Sequence, residues 1–270
     1  MRFITLLVFL PLLSAQDRPI PGPATLIKQV TAHQREMEVV RENYTCHQIT
    51  ETQVLDGKGE VKSTASEEHE VFFVNHHRVA RLVKKNDIGL TPAEEKSEQS
   101  RVLKQVERFM KGPPGRNRQA LRISEILAVS TISDPRRLSL NNRDTLAFDF
   151  IGDPDAEARG VNQNAGKKLA GTLWIDEADL QVARIEINFY ENFSIGGGVL
   201  ASIQKGTKMT MEQSPVGDGL WMPSLTDQHL AARVLMFDSI RRDLHQKEFD
   251  FHKFDVASIQ QIQPPADPLP

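Results

Sequence analysis

The chain has a single cysteine, Cys46, in 270 residues. That excludes an internal disulfide and any metal or iron-sulfur site built from several cysteines. A basic excess is also missing. With 33 Lys and Arg against 36 Asp and Glu, no surplus positive charge is available to neutralise the phosphates of a nucleic acid. No apolar run reaches the roughly 20 residues of a membrane-spanning helix; the longest extends from Phe3 to Leu13. Aromatic residues are sparse, at 6%, and several alternate on one face of the strands read below. What is present, 39% hydrophobic and 26% charged residues with 16 glycines and 15 prolines, is the composition of a folded soluble protein.

The apolar run follows Arg2 and ends at Leu13-Ser14-Ala15, before the polar Gln16-Asp17-Arg18. A charged start, a short apolar centre and a small-residue exit are the pattern of a secretory signal peptide. Residues 1–15 are therefore read as a signal cleaved near Ala15, and the mature protein is expected in the periplasm or secreted, with no integral membrane segment. Gln16 occupies the place where a lipoprotein signal requires cysteine, so no lipid anchor is expected. In an oxidising compartment Cys46 reads as an isolated, buried thiol.

Residues 16–23 form a proline-rich linker. Leu26, Val30, His33, Met37 and Val40 then recur at three- and four-residue steps, predicting a helix over 24–42. Thr91-Pro92-Ala93-Glu94 carries an N-cap, a proline at the first helical position and a glutamate three residues after the cap. It opens a second amphipathic helix that Gly112-Pro113-Pro114 stops. Elsewhere the period is two. Strands are expected at 44–55, 60–74, 77–84, 121–129, 138–151, 169–175, 182–190, 199–213, 220–225, 228–240 and 244–256, several joined by tight turns at Asp56-Gly57-Lys58-Gly59 and Asp176-Glu177-Ala178-Asp179. Strands joined by short turns pair antiparallel, and one-sided alternation buries one face. The expected fold is mainly β (α+β): a large curved antiparallel sheet forming an unclosed β-barrel, with both amphipathic helices covering its concave face. One domain should span 24–257, and residues 258–270 form a proline-rich flexible tail.

Each local motif for chemistry fails at a required residue. His69-Glu70-Val71-Phe72-Phe73 has phenylalanine where a zinc-protease helix needs its second histidine. Cys46 and His47, adjacent in a strand, face opposite ways and cannot form a nucleophile-base pair. Asp153, Asp155 and Glu157 begin like a calcium loop but lack its tight-turn glycine and closing glutamate. Gly160 to Lys168 departs from phosphate-loop spacing, and Gly-x-Ser-x-Gly is absent. No catalytic residue, metal site or cofactor is assigned, although acid/base residues dispersed over several strands would leave no local motif.

Leu169 to Glu186 reads LAGTLWIDEADLQVARIE. Gly171-Thr172-Leu173-Trp174-Ile175-Asp176, followed after the turn by Val182-Ala183-Arg184-Ile185, is similar to the strand-turn-strand of outer-membrane lipoprotein-sorting families. Together with the order of helices and strands it resembles the periplasmic lipoprotein-carrier fold of the LolA/LolB type. The resemblance spans most of residues 24–256. It implies an open barrel whose concave face and helical lid enclose an apolar cavity for acyl chains, and hence a non-catalytic exported protein binding a lipid or lipoprotein acyl chain. Phe148, Phe150, Ile185, Ile187, Phe189, Met209 and Met211 alternate inward and are the candidates for the cavity wall, while the same residues would equally serve as sheet core under the helices. Two other functions remain open: an envelope assembly module that fills its own core and recruits a protein partner, and a hydrolase with dispersed carboxylates. A continuous apolar cavity favours the first reading, a solid core the second, and titratable groups clustered in a cleft the third.

Overall fold

The structure, a computed structural model, describes residues 19–115, 122–198, 200–217, 219–234 and 238–253. The signal peptide expected at 1–15 and the tail expected at 258–270 lie outside these residues. α1 (Pro23–Val40) leads through a 3-10 turn at Arg41–Asn43 into β1 (Tyr44–Leu55), β2 (Val61–Val74), β3 (His77–Lys85) and β4 (Ile88–Gly89). Then come α2 (Pro92–Lys111), α3 (Ile123–Leu127), β5 (Ser130–Leu140), β6 (Arg143–Gly152), α4 (Gly160–Gly166), β7 (Leu169–Asp176) and β8 (Val182–Phe189). β9 (Phe193–Ile195), β10 (Ala201–Ile203), β11 (Lys208–Gly217), β12 (Leu220–Val234) and β13 (Asp238–Lys253) complete the described elements.

All strand pairs are antiparallel, in the order β4-β3-β2-β1-β13-β12-β11-β8-β7-β6-β5, with β9 and β10 attached beside β12. Neither end of the order pairs with the other, so the sheet is not closed by hydrogen bonds. The mainly β fold and its open antiparallel sheet are as the alternation of the sequence predicts.

Several segments differ from expectation. Residues 199–213 hold two strands, β10 and β11, while 220–225 and the first part of 228–240 run together as β12, and β13 begins at Asp238. Residues 121–129 were expected as a strand, but Ile123–Leu127 is helical, because Ile123, Ile126 and Leu127 follow a helical step and bury together. The single strand expected at 138–151 is a hairpin: Asn141 and Asn142 take positive φ of 51° and 61°, the two-residue turn geometry that matches strand twist.

The helical cover also differs from expectation. Following the register across the sheet, Gln48, Val71, Glu248, Met211, Ile185, Leu173 and Phe148 share one face. α1 and α3 pack on that face, burying Leu26, Ile27, Val30, Ile126 and Leu127 against Phe148, Phe150, Leu169, Leu173, Ile185 and Ile187. α2 packs on the other face. Its Val102, Val106 and Phe109 meet Phe72, Val74 and Val79, and Phe72 directly follows Val71 in the strand. The reason lies at the sheet edge. β3 is flanked only by the two-residue β4, so most of its outward backbone groups lack a strand partner. Glu98 of α2 accepts from the Leu82 N–H at 2.7 Å, and Arg101 donates to the Ala80 carbonyl at 2.6 Å. Asn75, in the β2-β3 turn, donates to the carbonyls of Phe109 and Gly112 at the end of α2. α2 is an edge guard, and α1 alone of the two long helices lies over the inner face.

The capping box read at Thr91 is formed, the Thr91 side chain accepting from the Glu94 N–H and Glu94 accepting from Thr91. Thr91→Ala should cost about 1 kcal/mol. In a chain of this size that is a fall in Tm of about 2–4 °C, measurable by circular dichroism, whereas Ser100→Ala on the solvent side of α2 should leave Tm unchanged.

Candidate functional site

The candidate wall residues do come together. Phe148, Phe150, Ile185, Ile187 and Phe189 are buried in one cluster beneath α1, with Met209 and Met211 half-buried at its border. Met209 pairs with Ile187 and Met211 with Ile185 across β11 and β8. Side chains of α1 and α3 occupy the space over them.

Residues of the resembling segment hold this scaffold. A Cβ on Gly171 would lie 1.8 Å from the Glu186 carbonyl oxygen and 3.0 Å from the Phe150 ring, so this place in the strand is limited to glycine. Asp176 accepts from Arg143 at 2.5 and 2.9 Å and from the N–H groups of Ala178 and Asp179, closing the β7-β8 turn. Burial works to raise the Asp176 carboxyl, and Arg143 with those N–H groups overcomes it, holding it below the ordinary range. Asp179 in turn accepts from the Trp221 ring N–H at 3.0 Å, and Arg143 stacks over that indole. On the outer face Arg184 stacks on Trp174 and bonds Glu186 and Glu212.

Toward its C-terminal end α1 changes character. Gln34 is fully buried and donates to Gln181 at 2.8 Å, Gln181 bonds His33, and Gln213 donates to Gln34 at 3.4 Å. Arg41, just past the helix, bonds the Gln213 side chain and donates to the Trp221 carbonyl at 2.7 Å. Beyond this polar seam opens a cleft of about 180 Å³. It is lined by Tyr44, Cys46, Val71, Phe73, Met222 and Phe251 together with the charged Glu38, Arg41, Glu42, Arg78, Arg122 and Glu248.

Glu38 accepts from Ser124 Oγ at 2.7 Å and from its N–H, tying α1 to the start of α3. Burial raises the Glu38 carboxyl despite these bonds and the nearby Arg122 and Arg41. Glu248 is raised in the same way by burial, opposed by Arg78, Arg41 and the Gln246 amide. Burial draws Arg41 down to about 10, which still leaves it charged at neutral pH. Cys46 is pushed up to about 12 by burial, so its thiol stays protonated and is no nucleophile. Its neighbour His47 turns to the other face and meets Glu68 at 3.2 Å.

Perturbed titratable groups gathered in a cleft mark a candidate site, and of these residues only Cys46 stood out in the sequence. Arg78 and Glu248 occupy inward strand positions where alternation leads one to expect apolar residues, and their pairing spans distant strands. On the outer face a polar groove carries the pairs His229–Asp243 and His245–Asp227, each at 2.5 Å. Among the described residues no set of three His, Cys, Asp or Glu side chains is placed to hold a metal, and no helix is long and apolar enough to cross a membrane.

Glu248 offers a pH test. Its folded-state pKa lies above the ordinary 4.5, so the native state binds this proton more tightly than the unfolded chain and loses stability as pH rises from about 4.5 through the raised value. Glu248→Gln should therefore match the parent in Tm at pH 4 and exceed it at pH 7. The same gain at both pH values would rule out ionisation as its source.

No family model matches the chain, and no curated protein does. Solved structures do. A LolA superfamily protein from Nitrosomonas europaea aligns over 86% of this chain and 94% of its own at 10% identity, TM-score 0.37. A domain described as an outer membrane lipoprotein-sorting protein from Vibrio parahaemolyticus aligns over 87% and 97% at 10% identity, TM-score 0.39. A DUF1329 family protein from Desulfovibrio piger aligns over 87% and 94% at 9% identity, TM-score 0.40.

Proposed function

We propose that this chain is an exported, non-catalytic carrier that takes an acyl chain of a lipid or lipoprotein onto the apolar face beneath α1, with α1 as a lid. The wall is filled by side chains of α1 and α3, so the reading requires α1 to move. The observation that carries it is how few apolar side chains hold α1 beside its polar ties at Gln34 and Glu38. Of its 18 residues only Leu26, Ile27, Val30 and Gln34 are buried. Three apolar side chains contribute roughly 4.5–9 kcal/mol by burial at about 1.5–3 kcal/mol each. An acyl chain contributes about 0.8 kcal/mol per methylene, so about six to eleven methylenes offset the loss of all three apolar contacts. Phe148, Phe150, Ile185, Ile187, Phe189, Met209 and Met211 are the proposed acyl wall, the two methionines as its adaptable rim. The sequence resemblance at Gly171 to Ile185 and the signal-like N-terminus support the same reading.

Displacement of a fluorescent fatty acid tests it on the purified mature chain. Saturable binding that competes with unlabelled palmitate is expected; no saturable binding would leave the self-filled assembly module as the better account.

A further inference from the structure

The cleft beside the C-terminal end of α1 is too small for a lipid tail. Its volume of about 180 Å³ is roughly six times the share of one water, ~30 Å³, and falls below the ~300–1,000 Å³ of drug-sized pockets. It suits a compact polar group. Three of its charged side chains make no ion pair among the described residues. Arg41 spends its bonds on the Trp221 carbonyl and Gln213, Arg78 on Gln48, and Glu248 on Gln246. Both guanidiniums nevertheless act on Glu248 through space. Withdrawing charge from water without a paired counter-ion is costly, and a ligand carrying the complementary charges would relieve that cost.

We propose that this cleft binds a phosphate ester of an amino alcohol, the phosphate held between Arg41 and Arg78 and the ammonium on Glu248. Guanidinium forks match phosphate oxygens bidentately. Arg41 comes from the end of α1 and Arg78 from β3, and a tetrahedral phosphate turns oxygens toward two separate walls where a planar carboxylate presents only one edge. Glu248, on β13, is the one carboxylate of the three in the cleft without a hydrogen bond to backbone, hydroxyl or cation: Glu38 is taken by Ser124, and Glu42 meets His76 at 2.6 Å and Arg122 at 3.6 Å. The apolar lining residues Val71, Phe73 and Met222 would take the first carbons of a tail. The assignment deepens the carrier reading by naming its headgroup, and rests on that reading only for the tail.

Isothermal titration of the full mature chain with four probes decides it: dihexanoyl phosphatidylethanolamine, dihexanoyl phosphatidylglycerol, tail-free glycerophosphoethanolamine and inorganic phosphate. The ethanolamine lipid should bind at least tenfold tighter than the glycerol lipid, and glycerophosphoethanolamine should bind measurably. Arg78→Gln should weaken both lipids tenfold or more. Glu248→Gln, close in shape to the original, should weaken only the ethanolamine lipid, a split that damage to the fold would not produce. Equal affinity for the two lipids in the parent protein overturns the headgroup assignment, as does equal weakening of both by Glu248→Gln. Fatty-acid displacement without headgroup preference would defeat this proposal alone. Binding of glycerophosphoethanolamine as tight as the lipid, with no fatty-acid displacement, would support the cleft and defeat the acyl reading; phosphate binding as tight as glycerophosphoethanolamine would show that the amine is not read.

Discussion

Gly171→Ala should leave little folded protein. The added Cβ would lie 1.8 Å from a backbone oxygen of the neighbouring strand, a contact that no side-chain rotation relieves. Either β7 separates from β8 or the Phe150 ring and the strand shift together, opening the core. A cost on the order of 4 kcal/mol or more belongs to such core disruptions, against a total of about 5–15 kcal/mol for a typical domain. Urea unfolding followed by tryptophan fluorescence should show the midpoint collapsing or the variant failing to accumulate. Gly57→Ala, in the β1-β2 turn where a Cβ meets nothing within 4 Å, is the control and should unfold with the parent. A Gly171→Ala protein melting within a degree or two of the parent would contradict the packing described.

Val30→Asp should open the lid and leave the sheet standing. Val30 is fully buried between α1 and the β6-β8 core, and placing a carboxylate there costs several kcal/mol. Because α1 contributes no strand pairing, that cost should fall on helix docking. Each 1.4 kcal/mol is tenfold in an equilibrium, so the undocked population should rise by about a hundredfold or more, and affinity for the fatty-acid probe should rise at least tenfold. Hydrogen exchange should show residues 23–40 losing protection while β6, β7 and β8 keep theirs. Simultaneous loss of protection in helix and strands would mean that α1 is an integral part of the core rather than a lid.

Much of the architecture was legible because it follows from periodicity. The two-residue alternation of Ala183, Ile185, Ile187 and Phe189 and the capping box at Thr91 act locally, and the elements they specify form where expected. The hairpin at Asn141-Asn142 was missed because two asparagines carry a weaker turn signal than Asn-Gly. The short helix Ile123–Leu127 was missed because five residues leave helix and strand periods hard to separate. The placement of α2 was illegible for a different reason. Its amphipathic pattern says that one side is buried but not against which face, and the deciding contacts, Glu98 to Leu82 and Arg101 to Ala80, depend on which strand ends at the sheet edge. The polar cleft was hidden for the same reason. Arg41, Arg78 and Glu248 come from α1's exit, β3 and β13, and only the pairing of β1 with β13 brings them together. The resembling segment was legible as a pattern, and the structure supplies its physical content: a close strand approach at Gly171 and a charged turn lock at Asp176.

The carrier account is tested most directly by native mass spectrometry of the protein purified from its source cells without detergent exchange. It predicts a population heavier than the mature chain by the mass of an acyl-bearing compound, released on unfolding and depleted by palmitate in excess. A single species at the mass of the bare chain, together with no saturable binding of the fatty-acid probe, would contradict it.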